Sequence, residues 1–513
     1  MTRSWRTLAA AALAVTLTAS MAACASGASG DAGASGQQTV LRWSMGLPTS
    51  WDPVASRTGI DINTISLAYA SLTQLDAKGD VTPGLAKSWK YDDAGTAITF
   101  TLREGLRFSD GTPLDAEAVK AHFERGKTQA DSHLRDQLAD LASVTADSPT
   151  QVTLHLSEVD YQIPYLVAGR TGAIASPKAA EDPAKLAVDP VGAGPFVLTE
   201  FVPESHATFV KNKDYWDAKD IHIDKLELST ALDAATVVSA VQSGSVDVAR
   251  LPATQLDQAK AAGLHVTIAD TLAVNDASLN LNKAPLNDPA VIEALRYTFD
   301  RKAFVDAITA GKGSAVHQPF PKGYIAFNPE VEKLWTYDPA KARKILSDAG
   351  YKDGQLSIEI TAHAGGELDA QLTQSQLKAV GIDSTIRLVP AGSTTWQDDV
   401  YVAKSPQLAL DGTIGRESPV ANLLATYGPA GIMNLSGPHS STEFQKALDA
   451  VRATPIDSPD YPTVLRAAVK AGVEQSPTNY LYTSPWIFIS APGVSDLNLL
   501  PSQVRWEGVR VDS

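Results

Sequence analysis

Ile98, Phe100 and Leu102 are apolar, and Thr99, Thr101 and Arg103 between them are polar. A period of two buries one face and wets the other, so this run predicts a strand with one covered side. Val152, Leu154 and Leu156 repeat the pattern and put Thr153, His155 and Ser157 on the polar face. Elsewhere the apolar spacing is helical, and the starts are marked. Asp115 stands before Ala116 to Arg125 as an N-cap, with Leu114 placed to staple onto Val119. Asp288-Pro289 opens a second helix, with Ile292, Leu295 and Phe299 on its apolar face. Asp338-Pro339 opens a third, with Ala342, Ile345, Leu346 and Ala349 inside and Gly350 as terminator. Gly244 and Gly381 also end helical stretches and lead into apolar runs. Strand and helix signals alternate along the whole body, which predicts mixed α/β lobes.

The first 23 residues break the pattern. A cationic start (Arg3, Arg6) precedes an apolar stretch from Leu8 to Ala19, and Met21-Ala22-Ala23 then runs into Cys24, the only cysteine of the chain. This reads as a secretory signal, too short to span a bilayer as a helix. Met21 to Cys24 resembles the bacterial lipobox, which implies that Cys24 is lipidated and becomes the first residue. Ala25 to Gln38 is small, polar and flexible, and reads as a tether (24–38 with the lipidated Cys). Folded protein is expected from Thr39.

Removing residues 1–23 leaves 490 of the 513, more than one ordinary core holds, so at least two lobes are expected. With Cys24 lipidated the body has no thiol, which excludes disulfides and thiolate metal sites. The net charge of −15 becomes −17 once Arg3 and Arg6 are lost. An acidic chain without a basic stripe argues against nucleic acid as a partner. No later window holds about 18 consecutive apolar residues, so the lipid would be the sole membrane attachment.

Motifs for catalysis are missing: the chain has no GxSxG, GxxxxGK[ST], HExxH or GxGxxG. Its nine histidines include no pair at helical spacing. Asp92-Asp93 and Asp398-Asp399 are adjacent carboxylates, which do not face one another on a strand or a helix, and they read as turns or helix starts. No enzyme activity, metal or cofactor is expected. Aromatics are the better lead. Trp51, Trp396, Tyr401, Tyr427, Tyr482 and Trp486 sit among Pro, Gly, Ser and Thr, the mixture that can line a ligand cleft. For any single one, core packing is the more ordinary role.

Five segments in order carry a resemblance. They are Gly84 to Trp89 with ITFTLREGLRFSDGTPLDAEAVKAHF (98–123); Gly192-Ala193-Gly194-Pro195-Phe196 with Lys211 to Trp216; Val241 to Asp247; Leu279 through Pro285, Asp288 and Leu295 to Asp300-Arg301; and Tyr337 to Ala342 with Ala349-Gly350-Tyr351. Together they resemble the extracytoplasmic solute-binding proteins of ATP-binding-cassette importers, family 5, the peptide- and nickel-binding group. Many of these residues read as structural: Asp110-Gly111 a turn, Gly194-Pro195 a corner, Asp338-Pro339 a cap.

The resemblance implies an α/β, two-lobed periplasmic-binding-protein-like fold of type II. Its ligand cleft would lie between lobes joined by a two-segment hinge. Lobe I would comprise 39–268 plus 488–513, with a subdomain inserted near 96–184, and lobe II would comprise 269–487. It further implies a lipid-anchored monomer that captures a peptide or peptide-like solute and hands it to the permease. In peptide-binding members an acidic residue within a "gW..D…DP" stretch pairs with the peptide's amino terminus. Here that stretch reads Asp411 to Pro419, with Thr413 in place of Trp and Arg416 near the acidic position, beside Glu417. An Arg there would repel an ammonium and attract a carboxylate or phosphate. Alternatively Asp411 or Glu417 takes over the anchoring, or Arg416 faces solvent. Further cleft residues by position are Trp51, His363, Trp396 and Tyr427. Three other functions stay open: a receptor for a non-peptide polar or anionic solute, a ligand-presenting signalling lipoprotein, and, remotely, a lipoprotein hydrolase.

Overall fold

Seven strands form one sheet in the order His265–Ala269, Trp486–Ser490, Val248–Arg250, Val40–Ser44, Lys225–Ser229, His206–Lys211, Phe196–Val202. Val40–Ser44 runs parallel to both its neighbours, with Leu41 opposite Leu226 and Trp43 opposite Val248. All four side chains are fully buried. The computed structural model describes residues 38–57, 61–390, 394–413, 418–437 and 440–512, and the expected lipidation site Cys24 and the tether up to residue 37 lie outside them. Among the described residues no helix is long and apolar enough to cross a membrane.

The second sheet has five strands in the order Ile382–Val389, Leu356–His363, Leu408–Thr413, Val274–Leu279, Asn479–Thr483. The first three run parallel to one another, and the last two pair antiparallel. Its core joins Ile358, Ile360, Leu408, Ala277 and Leu279 to Leu295, Phe304 and Leu377 from the helices on one face. Each such large side chain contributes about 1.5–3 kcal/mol when fully withdrawn from water.

The chain passes from the first sheet to the second between Ala269 and Val274, and returns between Thr483 and Trp486. These two crossing segments are tied together. The Thr271 hydroxyl donates to the Ser484 carbonyl at 2.6 Å, and the Ser484 N–H donates to the Ala273 carbonyl at 3.1 Å. Asn275 Nδ2 donates to the Ser484 hydroxyl at 2.6 Å. The return strand pairs in the first sheet from Trp486 onward, two residues before the expected boundary at 488.

A third, antiparallel sheet runs Ala86–Tyr91, Ala97–Leu102, Gln151–Leu156, Leu141–Ser148, so its first strand precedes the insertion expected near 96–184. Helix Ala116–Thr128 packs on it, with Val119 and Phe123 in one cluster with Ile98, Phe100, Val152 and Leu154. Three hydrogen-bonded helix caps match the sequence: Asp115 accepts from the Ala118 N–H, Asp288 from Ala290 and Asp338 from Lys341. The family's structural residues behave accordingly. Gly111 has φ of +80° in a turn closed by Asp110, and a Cβ on Gly194 would stand 2.5 Å from the Ala68–Tyr69 backbone.

Three details differ from the periodic reading. Thr153 is buried on the polar face because its hydroxyl is held by Thr99 and Asp147. Phe299 is buried but lies beyond its helix, which ends at Arg296, because Asp300 already caps the next one. Ala349 is exposed, since it is the C-cap rather than part of the helical face.

A second set of contacts spans the molecule away from the crossing segments. Arg452 at the end of helix Thr442–Arg452 bonds Asp160 at 3.0 Å and also bonds Asp140, and the Tyr461 hydroxyl donates to Gln162 Oε1 at 2.8 Å.

Candidate ligand site

Strands Leu356–His363, Ile382–Val389 and Leu408–Thr413 are parallel, so their carboxyl ends lie along one edge of the second sheet. That edge is where α/β sheets accept ligands, because the connecting loops diverge there. Strand Val274–Leu279 is antiparallel to Leu408–Thr413 and begins at the same edge, directly after the first crossing segment. His363, Asp411, Thr413 and, just past strand Ile382–Val389, Trp396 all stand at this edge.

His363 ends its strand and stacks on Trp396, with ring centroids 3.6 Å apart and planes 24° from parallel. Burial against the indole holds the imidazole pKa below its ordinary value, so it is neutral and offers a flat, weakly polar face. Asp411 stands opposite Asp276 in register, and Thr413 opposite Val274. Since alternate residues share a face, Asp411 and Thr413 project to the same side as Asp276 and Val274.

Asp276 is 1 % exposed, and Asp411 in front of it is partly exposed. The Ser278 hydroxyl donates to the Asp276 carboxyl at 2.7 Å, and the Tyr401 hydroxyl donates to Asp411 at 3.2 Å. Desolvation, then the facing Asp411 charge, pushes the Asp276 pKa up to about 8. Desolvation pushes Asp411 up to about 6, against the Gly412 N–H and Tyr401 hydroxyl that favour its charged form. At neutral pH the pair therefore holds about one proton.

Tyrosines roof this pair. Tyr480, opposite Asp276 on the neighbouring strand, shares a 2.6 Å hydroxyl–hydroxyl hydrogen bond with Tyr427. Tyr427 ends helix Pro419–Tyr427, which Ser418 caps, and its ring packs edge-on against Phe444 at 5.6 Å. Burial drives both tyrosine pKa values upward, so both stay neutral.

Of the residues singled out in the sequence, His363, Trp396, Asp411, Thr413 and Tyr427 are brought to this face of the second sheet. Trp51 is not. Its indole is fully buried in the core beneath the first sheet, edge-on to Phe201 at 5.7 Å and Phe209 at 5.4 Å. The segment after the first strand folds inward there, because Asp52 is anchored by Arg125 through two 2.7 Å hydrogen bonds. Arg416 lies outside the described residues. Asp276 was missed, because a carboxylate beside Asn275 and close to Ser278 reads as an ordinary polar position.

The family model for bacterial extracellular solute-binding proteins, family 5, matches residues 80–434. This chain belongs to that family. As a family 5 protein it is the solute-binding component of an ATP-binding-cassette importer, with the family's two-lobed fold. It is 30% identical over 352 residues to the glutathione-binding protein GsiB of Escherichia coli (strain K12), covering 67% of this chain and 68% of that protein. Among solved structures, DppA from Helicobacter pylori, in complex with peptide STSA, superposes with a TM-score of 0.81 at 21% identity, over 92% of this chain and 98% of that one. NikZ from Campylobacter jejuni, in complex with Ni(L-His), superposes with a TM-score of 0.79 at 19% identity, over 92% of this chain and 97% of that one. For this family 5 protein, no group of three or more His, Cys, Asp or Glu side chains among the described residues stands close enough to hold a metal ion.

Proposed function

We propose that this protein is a lipid-anchored receptor on the outer face of the cytoplasmic membrane that binds a peptide or peptide-like solute and delivers it to its permease without chemical change. The observation that carries the reading is the grouping of His363, Trp396, Asp411 and Thr413 at the carboxyl-end edge of the second sheet, beside the crossing segments. A flat aromatic stack beside hydrogen-bonding groups suits an extended polar chain with an apolar body. In this reading the solute is enclosed between lobe I (39–268 plus 488–513) and lobe II (269–487), and Cys24 holds a monomer at the membrane. The names of the peptide- and glutathione-binding relatives support a peptide-like ligand. The acidic pair at the same edge weighs against an anionic one.

A thermal-shift screen of the purified full chain with short peptides, oligosaccharides and anionic solutes tests this. Peptides at about 100 times Kd are expected to stabilise by about 2.7 kcal/mol. A screen answered only by sugars or anions, or release of altered ligand, defeats the reading. Mass spectrometry of the membrane-extracted protein is expected to find diacylglycerol on Cys24, and Cys24→Ser is expected to release the protein from the membrane.

A further inference from the structure

We propose that Arg387 is a positioning residue for solute capture: it fixes the turn that backs His363 and reaches Asp411, so that both meet the ligand in one arrangement. This deepens the reading of the edge as a solute cleft and rests on it. Arg387 lies on strand Ile382–Val389, opposite Thr361, and Val389 two residues on is opposite His363. Alternate residues share a face, so Arg387 and Val389 stand on the side of the sheet that carries Thr361 and His363. The guanidinium is divided three ways. Nε donates to Glu359 at 2.8 Å and Nη2 to the Thr361 hydroxyl at 3.0 Å, both on the neighbouring strand, and Nη1 pairs with Asp399 at 2.7 Å. Two arms hold the arginine on the sheet, and the third reaches out to the turn.

That turn, Gln397–Val402, is π-helical, a rare form that recurs at functional sites. Trp396 precedes it and Tyr401 belongs to it. Trp396 is buried and forms the back of the His363 ring, 3.6 Å away, while Val400 packs with it against Val389 and Ala409. The Tyr401 hydroxyl donates to Asp411 at 3.2 Å. Of the adjacent carboxylates Asp398 and Asp399, only Asp399 forms an ion pair among the described residues. Its carboxyl also accepts the Ser405 hydroxyl, and its carbonyl accepts the Ser405 N–H at 2.9 Å. Against desolvation, the Ser405 hydroxyl and Arg387 hold the Asp399 pKa below its ordinary value, so it stays ionised.

Apolar contact seats Trp396 and Val400 but does not choose the rotation of the turn, because the hydrophobic effect is non-directional. An ion pair to a forked guanidinium does choose it. Only an arginine serves strand and turn together, since its planar fork offers several fixed donors where a lysine offers one compact charge. With Arg387 in place, the His363 face and the Asp411 carboxyl are set before the solute arrives. Binding then spends less on ordering them.

Three variants of the purified full chain separate the arms: Arg387→Gln, Asp399→Asn and Glu359→Gln. The His363 imidazole is titrated by NMR in the ligand-free protein, its signal assigned by its loss in His363→Gln. Binding of a random tripeptide library is measured by native mass spectrometry. Loss of the Asp399 arm is expected to loosen the Trp396 stack, expose His363 and raise its pKa towards the ordinary value of about 6.5. Asp399→Asn is the decisive case, because losing a nearby negative charge would by itself lower that pKa. Arg387→Gln and Asp399→Asn are each expected to weaken tripeptide binding on the order of tenfold, the worth of ordering one or two side chains. The double variant is expected to bind no worse than either. Glu359→Gln touches only the arm on the sheet, and is expected to keep the His363 pKa and to bind within about twofold of the parent. A His363 pKa that stays or falls in Asp399→Asn overturns the positioning role. Equal loss of binding in all three variants overturns it too, and marks Arg387 as structural only. A parent that binds no tripeptide defeats the peptide reading instead, and the His363 shift still decides whether Arg387 sets the turn.

Discussion

Two regions of this protein bury carboxylates, and they do it in opposite ways. Beneath the first sheet Asp52 is fully buried, but Arg125 meets it with two 2.7 Å hydrogen bonds. Glu507 is gripped by Arg505 in the same paired manner, at 2.9 and 3.0 Å, with the Tyr215 hydroxyl adding a third contact. In the second sheet Asp276 and Asp411 face one another with hydroxyl donors and the Gly412 N–H, and with no cationic partner among the described residues. A matched buried pair is neutral in sum and fixes a conformation. An unmatched one is relieved by taking up a proton.

The contrast yields measurable differences. Arg125→Ala leaves Asp52 buried and uncompensated, and is expected to cost about 3–5 kcal/mol by urea denaturation. Asp276→Asn removes a charge that nothing balances, so it is expected to hold or raise stability at pH 8. A drop as large as that of Arg125→Ala would erase the distinction between the two regions.

The pH responses should also oppose one another. Asp276 has its pKa raised to about 8 in the folded chain, so the native state binds the extra proton, and that stability is lost as pH climbs towards 8. Asp276→Asn is expected to flatten this fall, which runs from about pH 4 to 8 and is worth up to about 1.4 kcal/mol per pH unit. In the first lobe His122 is buried and neutral, with Nε2 donating to the Thr171 carbonyl and Nδ1 accepting from the Ala175 N–H. Burial lowers its pKa to about 3, so its stabilisation is present above pH 6.5 and drains away as pH falls towards 3. His122→Gln is expected to flatten the acid limb of the melting curve alone.

Smaller effects are expected from the rim. Arg452→Ala removes the contacts to Asp140 and Asp160 and is expected to cost about 1–3 kcal/mol, with a wider envelope in small-angle scattering. Lys302→Ala breaks an exposed pair with Asp306 one helical turn away, and should shift stability by no more than about 0.5 kcal/mol. It serves as the control against which the buried charges are judged.

Local chemistry was legible in the sequence wherever one residue decides one feature. Asp115, Asp288 and Asp338 announce their helices, and the alternation at Ile98 to Leu102 announces its strand. The family segments carried the two-lobed fold. Long-range pairing was not legible, because nothing in either strand says that Asp276 and Asp411 are opposite one another. Trp51 misled for a related reason: an indole beside Pro and Ser reads alike in a cleft and in a core, and only the Asp52–Arg125 anchor turns it inward. Thr153 shows the same blind spot, since its polarity is satisfied by partners that sequence spacing does not reveal.

The crossing segments have a mechanical consequence. Thr271, Ala273 and Asn275 are laced to the single residue Ser484, so the two strands cannot bend separately. Two pins bolted side by side leave a door one axis of swing and forbid twist or slide. Any closing of one sheet on the other must follow the same arc each time, whatever lies between them. A permease that checks the outline of its visitor is then expected to meet one closed angle, whatever the shape of the cargo.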